Sequence, residues 1–174
     1  MPKYIAIAAI TLDGKIAKGP KHFSNWTSEE DKLFMRALLD KCDVVIVGNN
    51  TYKTAIEPLS KRNCIVFSRT ENQMNRIYVN PSKTDVKKLI RKLNYRKVAI
   101  LGGAQTYTYC LKNKMLDELY LTIEPLVFGK GIDLFSSKKF LDSKFKLISS
   151  KLLNESGSLL LHYKNLQLQG IFGK

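Results

Sequence analysis

The chain has 174 residues, enough for one domain with its own core, and its 44% hydrophobic and 25% charged residues are those of a globular protein. No stretch approaches the ~20 apolar residues of a membrane helix, so a membrane-spanning role is not expected. A formal net charge of +14 raises polyanions as partners. Only six of the 29 basic residues are arginine, however, and the lysines are scattered without the aromatic interleaving that stacks single strands. The expectation is therefore no specific nucleic acid, with the positive field steering anionic small molecules or simply solvating the surface.

Lys3–Thr11 reads as a strand buried on both faces rather than a signal peptide, since its apolar run is short and lacks a small-residue cleavage pattern. Ser28–Asp40 has helical spacing through Leu33, Phe34, Ala37 and Leu38. Thr27 or Ser28 is its N-cap, with Glu29, Glu30 and Asp31 in the first turn. Val44–Val47 is a β-branched strand closed by Gly48, and Thr51–Ala55 a short helix. Asn63–Phe67 and Arg76–Val79 are short strands. Pro81–Ser82 opens a basic helix through Leu93, followed by a strand over Lys97–Leu101, a helix over Ala104–Lys112 and a strand over Glu118–Pro125. Lys144–Leu153 and Ser158–Lys164 flank the turn Asn154-Glu155-Ser156-Gly157 as a hairpin. This order predicts a single α/β domain over 1–174. It has three layers: a mostly parallel central sheet of about eight strands, an antiparallel C-terminal hairpin at its edge, and helices on both faces. Cys42, Cys64 and Cys110 show no metal or disulfide spacing and suit the reducing cytoplasm.

Three strand ends carry ligand-binding signals. Gly102-Gly103 lies where a buried strand becomes a helix, a place where backbone N–H groups approach a pyrophosphate. Gly48-Asn49-Asn50-Thr51 repeats the arrangement, with Thr51 as cap or phosphate donor. Ser68-Arg69-Thr70 suits a phosphate monoester such as the 2′-phosphate of NADPH. Asp31 is either a capping acid or a catalytic one. It shares a helical face with Phe34, Met35 and Leu38, which would desolvate it and raise its pKa as an acid catalyst requires. Trp26, the sole tryptophan, precedes it by five residues. His22 and His162 read as a loop and a hairpin residue, and no metal site is expected.

In this order the segments resemble dihydrofolate reductase, within the wider group it forms with the reductase domain of riboflavin biosynthesis. The stretches Asp13-Gly14-Lys15-Ile16-Ala17, Trp26-x-Ser28-x-Glu30-Asp31, and Asp117-Glu118-Leu119 through Glu124-Pro125 to Gly131 resemble the subset of these reductases closest to the riboflavin branch, while Pro58-Leu59-x-x-Arg62 favours folate. The resemblance implies that Asp31 binds the pteridine N3 and 2-amino group and promotes N5 protonation, with Thr122 hydrogen-bonded to it. It implies substrate contacts from the Ile7 and Leu101 carbonyls, Ala9, Met35 and Ile56, with Arg62 pairing the folate α-carboxylate. It assigns NADPH to Gly48–Thr51, Ser68–Thr70 and Gly102, Gly103, Ala104, Gln105, Thr106 and Tyr107, with Ala9 and Ile16 at the nicotinamide. A mobile loop from Ile16 to Phe23 closes over it. Asn49 and Gln105 stand where arginines are frequent, which leaves the preference for NADPH over NADH to Arg69 or Lys53.

The expected reaction is hydride transfer from NADPH to C6 of 7,8-dihydrofolate with protonation at N5, giving tetrahydrofolate. The alternative is reduction of the ribosylamino-pyrimidine phosphate of riboflavin synthesis. That branch usually carries Asp-Asp-Pro where this chain has Asn50-Thr51-Tyr52-Lys53, and it needs no carboxylate-binding arginine. A third reading, a non-enzymatic basic binding protein, explains the charge and none of the spaced motifs. The Phe128–Phe135 loop and the apolar segment Leu166–Phe172 lean the assembly toward a homodimer.

Overall fold

The computed structural model of the chain describes residues 1–70, 76–139 and 141–166. The terminal apolar segment therefore lies outside the described residues from 167 on.

Strand β1 (Lys3–Thr11) is central and shows why the sheet is buried on both sides. Tyr4, Ala6 and Ala8 enter one core cluster, and Ile5 and Ile7 enter the other, as the two-residue period of a strand requires. The first cluster is closed by α4 (Val86–Lys92) and α5 (Ala104–Lys112), through Val86, Ile90, Cys110 and Leu111. The second is closed by α1 (Glu29–Leu39) and α3 (Ile56–Leu59), through Leu38, Leu39 and Leu59.

The remaining strands of the main sheet are β3 (Val44–Gly48), β4 (Cys64–Phe67), β5 (Ile77–Val79), β6 (Lys97–Ile100), β7 (Glu118–Glu124), β9 (Phe145–Leu152) and β10 (Leu159–Asn165). Their order is β5-β4-β3-β6-β1-β7-β10-β9. The first six are mutually parallel; β10 runs antiparallel to β7 and to β9, with a bulge at His162/Tyr163. The expected three-layer architecture is thus the observed one. After β5 the chain turns back across the sheet and inserts β6 between β3 and β1. The carboxyl ends of β1, β3 and β6 therefore meet, and open α/β sheets place ligands at such a crossing.

Local differences from expectation have local causes. The basic helix starts at Val86, not Pro81, because Asp85 caps it by accepting from Lys88 N–H at 2.9 Å. Upstream, Asn80 Oδ1 accepts from Ser82 N–H at 3.0 Å and closes a turn instead. Helix α2 spans Asn49–Thr54 and begins directly after β3, followed by the unanticipated α3. A separate two-stranded ribbon pairs β2 (Lys15–Ala17) with β8 (Ile132–Asp133). Among the described residues, no helix is long and apolar enough to cross a membrane. Within the same residues, no cluster of three His, Cys, Asp or Glu is placed to hold a metal.

Candidate active site

Helix α1 starts where it does because Ser28 Oγ accepts from Asp31 N–H at 3.3 Å. Ser28 is itself fixed: its N–H and its hydroxyl both donate to Glu124 Oε1 at 2.8 Å. The Ser158 hydroxyl donates to the other oxygen of Glu124. Glu124 closes β7 and is only 3% exposed, a buried carboxylate satisfied by three donors. One carboxylate thus joins the end of β7, the N-terminus of α1 and the β9–β10 turn.

The three first-turn acids of α1 then part company. Glu29 pairs with Lys32 at 2.7 Å, and Glu30 accepts from Asn154 Nδ2 at 3.0 Å. Asp31 turns inward and is 7% exposed. Burial pushes its carboxyl above the ordinary aspartate value. Hydrogen bonds from Thr122 and Thr27 oppose that shift, the negative charge of Glu124 adds to it, and Lys32 pulls against it. Desolvation is the largest of these causes, and it favours the protonated carboxyl.

Asp31 opens on a cavity of about 760 Å³ at the carboxyl ends of β1, β3 and β6. The glycines there are required by space. A Cβ on Gly48 would lie 2.9 Å from Thr106 Oγ1, and one on Gly102, at φ +95°, 2.8 Å from the Tyr107 ring. Gly103 N-caps α5 with no side-chain hydrogen bond, so the first N–H groups of that helix have no cap. Asn49 Oδ1, on the same wall, is a buried acceptor without a partner. A glycine-walled cradle with an uncapped helix start and an orphan acceptor fits a dinucleotide. Farther along, Ser68, Arg69 and Thr70 line the cavity beside Asn80, Pro81 and Ser82, which follow the neighbouring strand β5.

The opposite rim is built by β2, β8 and the loop after β7. Asp13 accepts from Thr11 Oγ1 at 2.6 Å and from the N–H groups of Phe128 and Gly129 at 3.1 and 2.8 Å. Phe128 meets His22 and Trp26 edge-on, at 5.6 and 5.1 Å between centroids, with the Lys18 ammonium 5.1 Å from its own. Of the residues expected in a mobile loop, His22 packs against this ring and Ile16 against the first core cluster, and both line the cavity.

Most anticipated residues converge on this cavity. Ile7, Ala9, Asp31, Met35 and Leu101 line it, as do Ile16, Gly48 to Thr51, Ser68 to Thr70 and Gly103 to Tyr107. The Ile7 carbonyl also accepts the Tyr107 hydroxyl at 2.5 Å. Thr122 is buried behind Asp31, and Gly102 backs the cradle without lining it. Two substrate residues are not brought in. Ile56 is exposed on α3. Arg62 lies in a separate small pocket with Asp40 and Asn63, its guanidinium donating to the Asp40 carboxylate and the Pro58 carbonyl. Its helix-side neighbour Asp40 supplies a carboxylate that captures the cation locally. Sequence reasoning gave no role to Lys32 or Glu124, and none to Trp26, which lines the cavity.

A family model described as dihydrofolate reductase matches residues 3–161. The uncharacterised protein YwjB of Bacillus subtilis (strain 168) is 27% identical over 172 residues, covering 92% of this chain and 97% of that one. The bifunctional dihydrofolate reductase-thymidylate synthase of Acanthamoeba polyphaga mimivirus is 32% identical over 142 residues, 70% of this chain and 24% of that one. Among solved structures, a pyrimidine reductase-like protein from Corynebacterium diphtheriae has a TM-score of 0.79 at 15% identity, over 95% of this chain and 92% of that one. The diaminohydroxyphosphoribosylaminopyrimidine deaminase/5-amino-6-(5-phosphoribosylamino)uracil reductase of Thermotoga maritima has a TM-score of 0.72 at 18% identity, over 94% and 57%. At such identities the solved structures share the fold.

Proposed function

We propose that this chain, which belongs to the dihydrofolate reductase family, is an NADPH-dependent reductase of the ribosylamino-pyrimidine phosphate of riboflavin synthesis. The observation that carries the choice of substrate is Arg62. The folate reading assigns it the glutamate α-carboxylate, and its guanidinium is instead held by Asp40 and Pro58 outside the cavity. Two solved relatives, a pyrimidine reductase-like protein and a phosphoribosylaminouracil reductase, favour the same substrate class.

Gly48–Thr51, Gly103–Tyr107 and Ser68–Thr70 would hold NADPH, which would supply a hydride. The chain's own task is the proton. Opening the ribose of a ribosylamine leaves an imine whose carbon C1′ accepts the hydride, while the former ring oxygen becomes a hydroxyl. Asp31, whose proton affinity burial raises, is the donor, and Thr27 and Thr122 hold its carboxyl in place. The net reaction takes up one hydride and one proton and leaves a ribitylamino product.

Dihydrofolate is the second reading. It is favoured by the mimivirus relative's name and by the Asp31–Thr122 pair, which suits a 2-amino-pyrimidine edge equally well. Following NADPH oxidation with 5-amino-6-(5-phosphoribosylamino)uracil and with dihydrofolate separates the two. Turnover of dihydrofolate alone overturns the main reading. The three free thiols suit a cytoplasmic enzyme. The exposed Leu126 and Val127 support a homodimer, which sedimentation tests.

A further inference from the structure

We propose that Lys32 receives the anionic end of the substrate and so selects which substrates the cavity takes. The inference rests on the reductase reading above and deepens it. Among the described residues, and apart from His22, the side chains lining the cavity that carry a full charge are Asp31, Lys32 and Arg69. Arg69 belongs to the Ser68–Thr70 end, on the loop after β4. Lys32 follows Asp31 directly on α1, at the end where the proton is delivered.

Three features fit Lys32 for an incoming anion. Its side chain is 24% exposed, so an ion pair there is better shielded from water than one on the open surface. Its ion-pair partner, Glu29 at 2.7 Å, is 74% exposed, and solvated helix-surface pairs of this kind are weak and easily exchanged. Two further cations are engaged elsewhere: Arg62 by Asp40 outside the cavity, and Lys18 over the Phe128 ring. Occupation of Lys32 also bears on the acid. Its positive charge lowers the proton affinity of Asp31, opposed by Glu124. An anion that neutralises Lys32 removes that pull and favours the protonated Asp31 needed for transfer.

A phosphate or a carboxylate could be the anion, and direct binding tests both without requiring turnover. Trp26 is the sole tryptophan and lines the cavity, so its fluorescence reports occupancy. Ribose 5-phosphate should bind the parent at least about tenfold more tightly than ribose, and Lys32→Gln should abolish that difference, since a charge-assisted contact is typically worth about ten- to hundredfold. Lys32→Arg should keep most of it. If p-aminobenzoylglutamate shows the Lys32-dependent gain and ribose 5-phosphate does not, the site takes a carboxylate and the folate reading replaces the pyrimidine one. Equal binding of both anions, or of neither, by parent and Lys32→Gln overturns the proposal. An anion effect at Lys32 without NADPH oxidation on either substrate leaves the site standing and removes the reductase reading.

Discussion

Replacing Asp31 by asparagine separates catalysis from stability, and the two should move in opposite directions. Asparagine keeps the size and the contacts to Thr27 and Thr122 but has no proton to give. General acid catalysis by a positioned side chain is worth about 10²–10⁴ in rate, or about 2.7–5.5 kcal/mol of activation free energy. Asp31→Asn should lower single-turnover hydride transfer by that range near neutral pH, with the deficit shrinking in acid, where solvent supplies the proton. Stability follows from linkage. Folding raises the Asp31 pKa, so the folded chain binds this proton more tightly than the unfolded one. Its contribution to stability is therefore fully present below the ordinary aspartate value and is lost as pH rises through the raised folded value. Above that window the parent carries a buried carboxylate charge that Asp31→Asn does not, and the variant should unfold at higher denaturant. Below the ordinary value the two midpoints should converge. Parental turnover with an unchanged pH profile, or a variant destabilised at neutral pH, refutes the reasoning.

Arg69→Ala should raise KM for NADPH about ten- to hundredfold and leave NADH nearly unchanged, as the loss of one charge-assisted contact to a 2′-phosphate predicts; equal loss for both cofactors points elsewhere. Glu124→Ala strands the Ser28 and Ser158 donors, and at about 1–3 kcal/mol for each unsatisfied residue should cost about 2–6 kcal/mol in chemical denaturation. Arg62→Leu should leave KM for the pyrimidine substrate within about twofold while lowering the unfolding midpoint, because the half-buried guanidinium no longer satisfies the Pro58 carbonyl or pairs with Asp40; a selective KM rise for dihydrofolate would restore its folate role.

How much of this was legible depended on the range of the interaction. The central strands announce themselves because Ile5 and Ile7 face one core while Tyr4, Ala6 and Ala8 face the other, leaving no polar position to confuse the run. The inward turn of Asp31 was readable from its stripe with Phe34, Met35 and Leu38. The strands β2 and β8 are two or three residues long and too short to carry a period. Glu124 reads as one more acid before a proline; its meaning lies in Ser28, 96 residues earlier, and Ser158, 34 later. Lys32 sits in a charged first turn that reads as solvated, and only the tertiary placement of α1 puts it on the cavity wall.

Arg62 shows how a correct motif can carry a different role. Pro58-Leu59-x-x-Arg62 lies where the folate resemblance needs it, and its arginine is indeed partly buried. Its cation is spent on the loop itself: it donates to the Pro58 carbonyl and pairs with Asp40 at the end of α1. Arg76 completes the clamp from the far side, donating to the Arg62 carbonyl at 2.6 Å and the Leu59 carbonyl at 3.3 Å. Two guanidiniums thus satisfy backbone carbonyls that the short helix α3 leaves open at its end, a need that any helix terminus has and that a planar fork of donors meets well. Pro58 of that segment lines the cavity. The arginine therefore holds a wall of the cavity, which leaves Lys32, a cation that faces the cavity, as the group proposed to meet an anionic substrate.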